Sequence, residues 1–179
     1  MIIEYVGPPG AGKTTLVRAR ASESGAQVLD MVDGHGPDGS RPGRQARRVQ
    51  WVRSVASNPR FARWWWARIR RDKDIVRHAL EASRRDWVVR RLRRRDGTWL
   101  VDEGPLHRLL WVLAWSGWDG DLPSTGLVCA DEVVVVNTPP EVAFERVSAR
   151  GGANTVLDLP EAERLDALRR YSRLAAQLS

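Results

Sequence analysis

The chain of 179 residues has one cysteine, Cys129, so it can close no internal disulfide and build no cysteine-based metal site. That scarcity predicts a reducing, cytoplasmic setting. Long apolar runs are also missing. No stretch approaches the roughly 20 residues that a membrane span needs, and no membrane partner is expected. There are no internal repeats. The opening MIIEYVGPPG passes from a strand-like run straight into a glycine loop, which reads as fold and not as a signal peptide. Lysine is scarce too: Lys13 and Lys73 are the only two among 29 basic residues.

What the chain does contain is a normal apolar share, 42%, which argues against disorder, in a length that suits a single domain with its own core. The net charge of +7 is unevenly spread. Residues 41–95 hold 19 Arg/Lys against 4 Asp/Glu, while the rest of the chain holds 10 against 18. The middle third is therefore a basic insert in an otherwise acidic protein. Such a segment implies an anionic partner, whether substrate phosphate, nucleic acid or an acidic surface; a solvated helix face is the plain alternative.

Residues 2–6 (IIEYV) predict a buried first strand, and KTTLVRARASES a helix with Gly25 past its end. AQVLD (26–30) predicts a second strand. The Gly/Pro/Asp-rich stretch 31–44 must be loop. A helical region runs from about 45 to 94, broken at Asn58-Pro59, where Asn58 suits an N-cap and Pro59 the first helical position. Phe61, Trp65, Ile69, Val76, Leu80 and Trp87 mark its apolar face. Trp64, Trp65 and Trp66 are consecutive and so point about 100° apart, which leaves at least one for solvent or a cleft. TWLVDEG (98–104) predicts a strand closing on two carboxylates, followed by an apolar helix over 105–117. DEVVVVNTPP (131–140) contains a fully apolar strand of the kind buried in parallel sheets. A proline-led helix from Pro139 or Pro140, a capping box at Asp158–Glu161 and a last helix with Leu165, Leu168, Ala175 and Leu178 inward complete the chain. Strands alternating with helices make this an α/β fold with a parallel sheet.

Gly7-Pro8-Pro9-Gly10-Ala11-Gly12-Lys13-Thr14 satisfies G-x-x-x-x-G-K-[ST] between a strand and a helix, the context that phosphate-binding pattern demands. Glycines let backbone amides approach phosphate, and the helix N-terminus adds positive potential. Lys13 can reach the β- and γ-phosphates of a triphosphate, and the Thr14 hydroxyl can ligate Mg²⁺. Thr15 follows in the first helical turn. Pro8 and Pro9 stiffen the loop and remove two amide donors.

With GPPGAGKTT after the first strand, LVDEG at the third, PPEVAFERVSARG and RRYSRLAAQL, the chain resembles the P-loop kinases, in particular small nucleoside and nucleotide kinases of the thymidylate-kinase type. The resemblance covers residues 1–30 and about 98–179. It implies a three-layer α/β/α P-loop fold with four or five parallel strands in the order 2-3-1-4, an acceptor-binding insert over about 41–95 and a lid over about 146–160. It implies ATP or GTP with Mg²⁺ as cofactors. Asp102 would hold the metal through water, and Glu103 would join it or face the substrate. Arg146 and Arg150, four apart on one helix, would face the nucleotide, one stacking on the base and one neutralising charge on the transferred group; surface ion pairing, for instance with Glu145, is the alternative. In this superfamily an acid near the end of the second strand often positions the acceptor hydroxyl. Asp30 stands there, with Asp33, Glu103, His35 and His107 as other candidates and a turn-capping role competing for Asp30. Cys129 reads as a small buried residue.

The acceptor would lie in the insert, where Arg44, Arg47, Arg48 and Arg53 could grip a phosphate and Trp51 and Trp64–Trp66 could stack on a flat ring. That points to an anionic or aromatic small-molecule acceptor; a homodimer is compatible. The family usually has a fifth strand after the last helix, whereas this sequence stops in helix, so that either the sheet has four strands or the chain is short. Two readings compete with a small-molecule kinase. One is a nucleic-acid enzyme such as a polynucleotide 5′-hydroxyl kinase, with the insert tracking a phosphate backbone. The other is a nucleotide-regulated ATPase or switch, although no N-K-x-D guanine motif occurs.

Overall fold

Four short strands run parallel in one sheet ordered β2-β3-β1-β4, the order expected from the sequence. They are β1 (Ile2–Val6), β2 (Gln27–Asp30), β3 (Trp99–Asp102) and β4 (Glu132–Val135). The structure, a computed structural model, describes residues 1–31, 44–68, 73–124, 126–127, 130–150 and 159–178. Seven helices lie among these: α1 (Lys13–Ser24), α2 (Arg44–Ser57), α3 (Pro59–Arg68), α4 (Lys73–Leu92), α5 (Pro105–Trp115), α6 (Pro140–Arg150) and α7 (Glu161–Ala175), the last ending in a 3₁₀ turn. The cap expected at Asp158, and Asp33, His35, Ile69 and Cys129, lie outside the described residues.

Every residue of β1 is buried, because helices cover both faces of the sheet. On one face Ile3, Tyr5 and Leu100 pack on Val17 of α1. On the other, Ile2, Trp99 and Val101 pack on Val88, Val89 and Leu92 of α4. A third cluster joins α5, whose Leu109, Leu110, Trp111 and Leu113 are all buried, to Leu168, Tyr171 and Leu174 of α7. The result is the three-layer arrangement. It carries the carboxyl ends of β1, β2 and β3 to one edge, where Tyr5 is in register with Asp102, and Asp102 with Asp30.

The apolar run 133–136 is not buried on both sides as expected. β4 has β1 as its one neighbour in the described sheet, and Val133 to Val136 are half-buried while Glu132 is exposed. An uninterrupted apolar run reports hydrophobicity but not the number of neighbours.

In the insert, the Asn58-Pro59 break occurs as expected. Asn58 Oδ1 accepts from the Phe61 amide at 3.1 Å and Asn58 Nδ2 donates to the Gly126 carbonyl at 3.2 Å. Asn58→Ala is therefore expected to cost about 1 kcal/mol and to lower the melting temperature by a few degrees; an unchanged melting curve would show the cap to be idle. Trp65 is buried, Trp64 packs between Phe61 and Trp118, and Trp66 is 62% exposed, so one of the three tryptophans does face solvent. The face of α4 differs from expectation. Ile75, Ala79, Ala82, Val88 and Val89 are buried, while Val76, Leu80 and Trp87 are half-buried and Arg91 sits 4.6 Å over the Trp87 ring. The basic insert is not merely a solvated face either, because Arg84, Arg85 and Asp86 on α4 are buried.

Candidate functional site

The loop Gly7–Thr14 links β1 to α1 and closes on itself through the Ala11 amide, which donates to the Pro8 carbonyl at 3.0 Å. Gly10 has φ +83, and a Cβ there would stand 2.4 Å from the Ala143 carbonyl of α6. The loop therefore presses directly on the helix that carries Arg146 and Arg150, and only glycine allows that approach. Gly12, at φ +88, opens α1 with no side-chain cap. The first amides of α1 are left without a competing side-chain acceptor, as an anion site requires.

Lys13 is 5% exposed and its Nζ donates to the carbonyls of Gly7 at 2.9 Å and Pro8 at 3.1 Å. Burial pushes the ammonium pKa down, Glu103 and Asp102 pull it up, and Arg108 and Arg150 push it down again. Arg150 thus lies within the field of this lysine. Arg146 donates to the Gly10 carbonyl at 3.4 Å, and both arginines are exposed on α6. Thr14 Oγ1 donates to Asp102 Oδ2 at 2.6 Å. The hydroxyl and carboxylate picked out by the motif and the resemblance are therefore adjacent, across 88 residues of sequence. They are hard oxygen donors of the kind Mg²⁺ accepts, an ion that keeps few protein ligands and completes its shell with water and phosphate. Among the described residues no group of three or more His, Cys, Asp or Glu is arranged to hold a metal ion.

Glu103 is the one described non-glycine residue with positive φ, +54. Arg85 Nη1 donates to its carbonyl, and its carboxylate lies 3.8 Å from Arg85 Nη1 and 3.7 Å from His107 Nε2. His107 is buried, and Tyr171 of α7 meets its Nδ1 at 2.6 Å. Burial, then the charges of Lys13, Arg108 and Arg85, hold the imidazole well below its ordinary pKa, so it is neutral. The Tyr171 hydroxyl and Nδ1 share that hydrogen bond, while Nε2 faces Glu103. His107 is thus a structural link between α7 and the strained acid.

Glu4, in the middle of β1, takes its place under this turn. Its Oε1 accepts from the His107 amide at 2.9 Å, and a Cβ on Gly104 would stand 2.5 Å from Glu4 Cδ. Desolvation raises its pKa to about 8. Glu4, Arg85, Arg108 and Tyr171 are the residues here that sequence reasoning missed. An acid inside an apolar strand and arginines on helix faces that bury were the available signals; Tyr171 carried none.

Asp30 ends β2 in register with Asp102, its side chain outside the described set. Of the arginines expected to grip the acceptor, Arg48 and Arg53 are exposed on α2, while the side chains of Arg44 and Arg47 are outside the description; Trp51 is half-buried. Beside the loop, a cleft of about 100 Å³ is lined by Pro8, Val135, Asn137, Thr138 and Ser172 among others. Thr138 Oγ1 donates to the Ala11 carbonyl at 3.1 Å, which ties the end of β4 to the loop. Among the described residues no helix is long and apolar enough to cross a membrane.

A family model described as an AAA domain matches residues 2–174. Two curated proteins, ATPase family gene 2 protein homolog B of Homo sapiens and of Mus musculus, are each 52% identical to this chain over 46 residues. That stretch is 26% of this chain, and it spans about 6% of the length of either relative. Among solved structures, deoxyadenosine kinase from M. mycoides with bound dATP aligns over 99% of this chain and 84% of its own, with TM-score 0.60 and 13% identity. The same kinase with the products dCMP and a flexible dCDP aligns over the same shares with TM-score 0.55 and 15% identity. At such identities the likeness shows the fold, that of a P-loop kinase.

Proposed function

The chain belongs to the AAA-domain family, and from that premise we propose that it is a small-molecule kinase. In this reading it binds ATP or GTP with Mg²⁺ and moves the γ-phosphoryl group to a hydroxyl or phosphate of a nucleoside, nucleotide or related metabolite. The observation that carries the proposal is the Thr14–Asp102 hydrogen bond beside buried Lys13, which joins the phosphate loop to the acid of β3. Loop amides and the first turn of α1 receive the phosphates. Lys13 exchanges its two carbonyl partners for phosphate oxygens. Thr14 and Asp102 would hold magnesium, which would supply neutralisation of the phosphate charge. Arg146 and Arg150 are exposed on the helix against which Gly10 packs, and in this reading they cover the triphosphate from the lid side.

The acceptor hydroxyl needs a positioning acid, and Asp30 at the end of β2 is in register with Asp102. Asp30→Asn is expected to lower turnover by about 100-fold and to leave nucleotide affinity nearly unchanged. Equal turnover, measured by coupled ADP release, would reject Asp30 in that role.

The decisive test of the whole reading is that same assay run against nucleosides, nucleotides, sugars and aminoglycosides. Acceptor-dependent ADP release with any one of them supports a kinase. A second reading, an ATPase using water, is favoured by Glu103, whose carboxylate is 23% exposed and acts on Lys13. Phosphate release unchanged by every acceptor would select it. Exposed Trp66 and the exposed arginines of α2 and α3 also make nucleic acid an outcome to test. Tight single-strand binding that weakens steeply with salt would replace the small acceptor.

A further inference from the structure

We propose that Arg85 and Arg108, with Arg84 behind them and Glu103 at their side, form a subsite for an oxyanion, phosphate or carboxylate, carried by the acceptor. The location rests on the kinase reading; the chemistry rests on residues that reading does not use. His78, Glu81 and Arg85 follow one another at steps of three and four on α4 and so share one face, which packs on α5. Arg108 of α5 meets that face, with its Nη1 3.2 Å from His78 Nδ1. Arg84 Nε donates to Glu81 at 2.8 Å, and Arg85 Nη1 lies against the Glu103 carbonyl and carboxylate.

Among the described residues, three guanidinium groups therefore share two carboxylates. Two other described acids lie near the cluster. Asp86 engages Arg90 at 2.8 Å, and Glu4 is protonated at neutral pH because burial raises its pKa to about 8. Donors are in surplus as well as charge. Among the described residues Arg84 Nη1, Arg85 Nε and Arg108 Nε are buried with no hydrogen-bond partner. A closed structural ion-pair network would satisfy these groups, since a buried charged donor left unpaired is costly. An incoming oxyanion supplies both the missing charge and several acceptor lone pairs, in the forked geometry that guanidinium prefers.

The place is right for an acceptor. Glu103 follows Asp102 directly, and Lys13 feels the charges of both Glu103 and Arg108. Arg85 is only 2% exposed, but Arg108 is half-buried and opens the cluster to solvent. The arginines singled out from sequence, Arg48 and Arg53, are exposed on α2. The acceptor's anion would bind α4 and α5 instead.

The test uses inorganic phosphate as probe, read by tryptophan fluorescence, because the Trp115 ring lies 5.0 Å from that of His78 and Trp111 lies beside Trp115. Lys13→Met removes the cation of the phosphate loop and should leave a phosphate site in place. Adding Arg108→Gln to that variant should weaken phosphate binding at least about ten-fold. Should Arg85→Gln fail to fold, Arg108→Gln still decides, because the Arg108 side chain reaches solvent. Loss of all phosphate binding in Lys13→Met, or an unchanged affinity after Arg108→Gln, would overturn the subsite. Competition by methyl phosphate but not acetate identifies a phosphomonoester, and the reverse a carboxylate. Binding is read without turnover, so a negative kinase assay beside a positive titration rejects the kinase reading alone.

Discussion

Lys13→Met is expected to lower acceptor-dependent phosphoryl transfer by roughly 1,000-fold, the scale on which a preorganised donor to a developing oxyanion acts. The same variant should melt at the wild-type temperature or above it. Both expectations follow from the environment of the ammonium. Lys13 is almost wholly buried, and its largest perturbation is desolvation, which opposes the charged form. Its partners are the Gly7 and Pro8 carbonyls, with Asp102 and Glu103 attracting it from further away. A buried cation of this kind contributes little net stability, and an apolar side chain of similar volume often replaces it without loss. Methionine is that side chain; alanine would add a cavity and confuse the two effects. Thermal melting and coupled ADP release on one preparation check the pair. More than about a tenth of wild-type turnover in a folded variant would mean that the loop lysine is not part of the transfer machinery.

A second large effect should appear in the pH dependence of stability. The Glu4 carboxyl is buried in β1, its Oε1 takes the His107 amide, and its pKa is raised from 4.5 to about 8. Desolvation is the main cause, with the backbone hydrogen bonds of His107 and Leu106 and the charge of Arg85 opposing it. Below the unfolded pKa both states hold the proton, and the favourable contribution is fully present. As pH rises from about 4.5 towards 8, the unfolded chain ionises while the folded chain keeps its proton, so stability is lost. Above about 8 both states are ionised and the loss levels off. At about 1.4 kcal/mol per pH unit, the full span is worth on the order of 5 kcal/mol. For a chain of this size that is on the order of 10 °C in melting temperature. Glu4→Gln keeps the carbonyl acceptor but cannot ionise, so its melting curve should lack this component. The difference between the two proteins between pH 5 and 8 isolates Glu4 from every other titrating group. Parallel curves would show that the carboxyl is already ionised in the fold, or that water reaches it.

Much of this was legible in the residues. The 7–14 pattern needs only local geometry: a strand, a glycine turn and a helix start are all specified within a short window, and Gly10 and Gly12 do adopt left-handed backbone. Asp102 was legible because an apolar strand ending in an acid places that acid at a sheet edge. Asn58 was legible as a cap for the same local reason, and its side chain does accept from Phe61. The errors have a different origin. β4 looked buried on both sides, but hydrophobicity along a strand is blind to how many strands flank it. Arg84 and Arg85 were not singled out, because helical periodicity cannot tell a face turned to solvent from one turned to a neighbouring helix.

The sequence by itself therefore determined the class of fold, the strand order through its resemblance, and the position of the glycine loop between β1 and α1. These rest on contacts between residues close in the chain, or on periodicity that burial enforces. Only the tertiary structure decided which charges are buried, because burial depends on packing between α4, α5 and α7, elements that no short window contains. It brought Tyr171 to His107 across 64 residues, set Glu4 beneath the Glu103 turn, and gathered three guanidinium groups around two carboxylates. Such an arrangement follows from the fold's long-range contacts, which no local pattern in the sequence encodes.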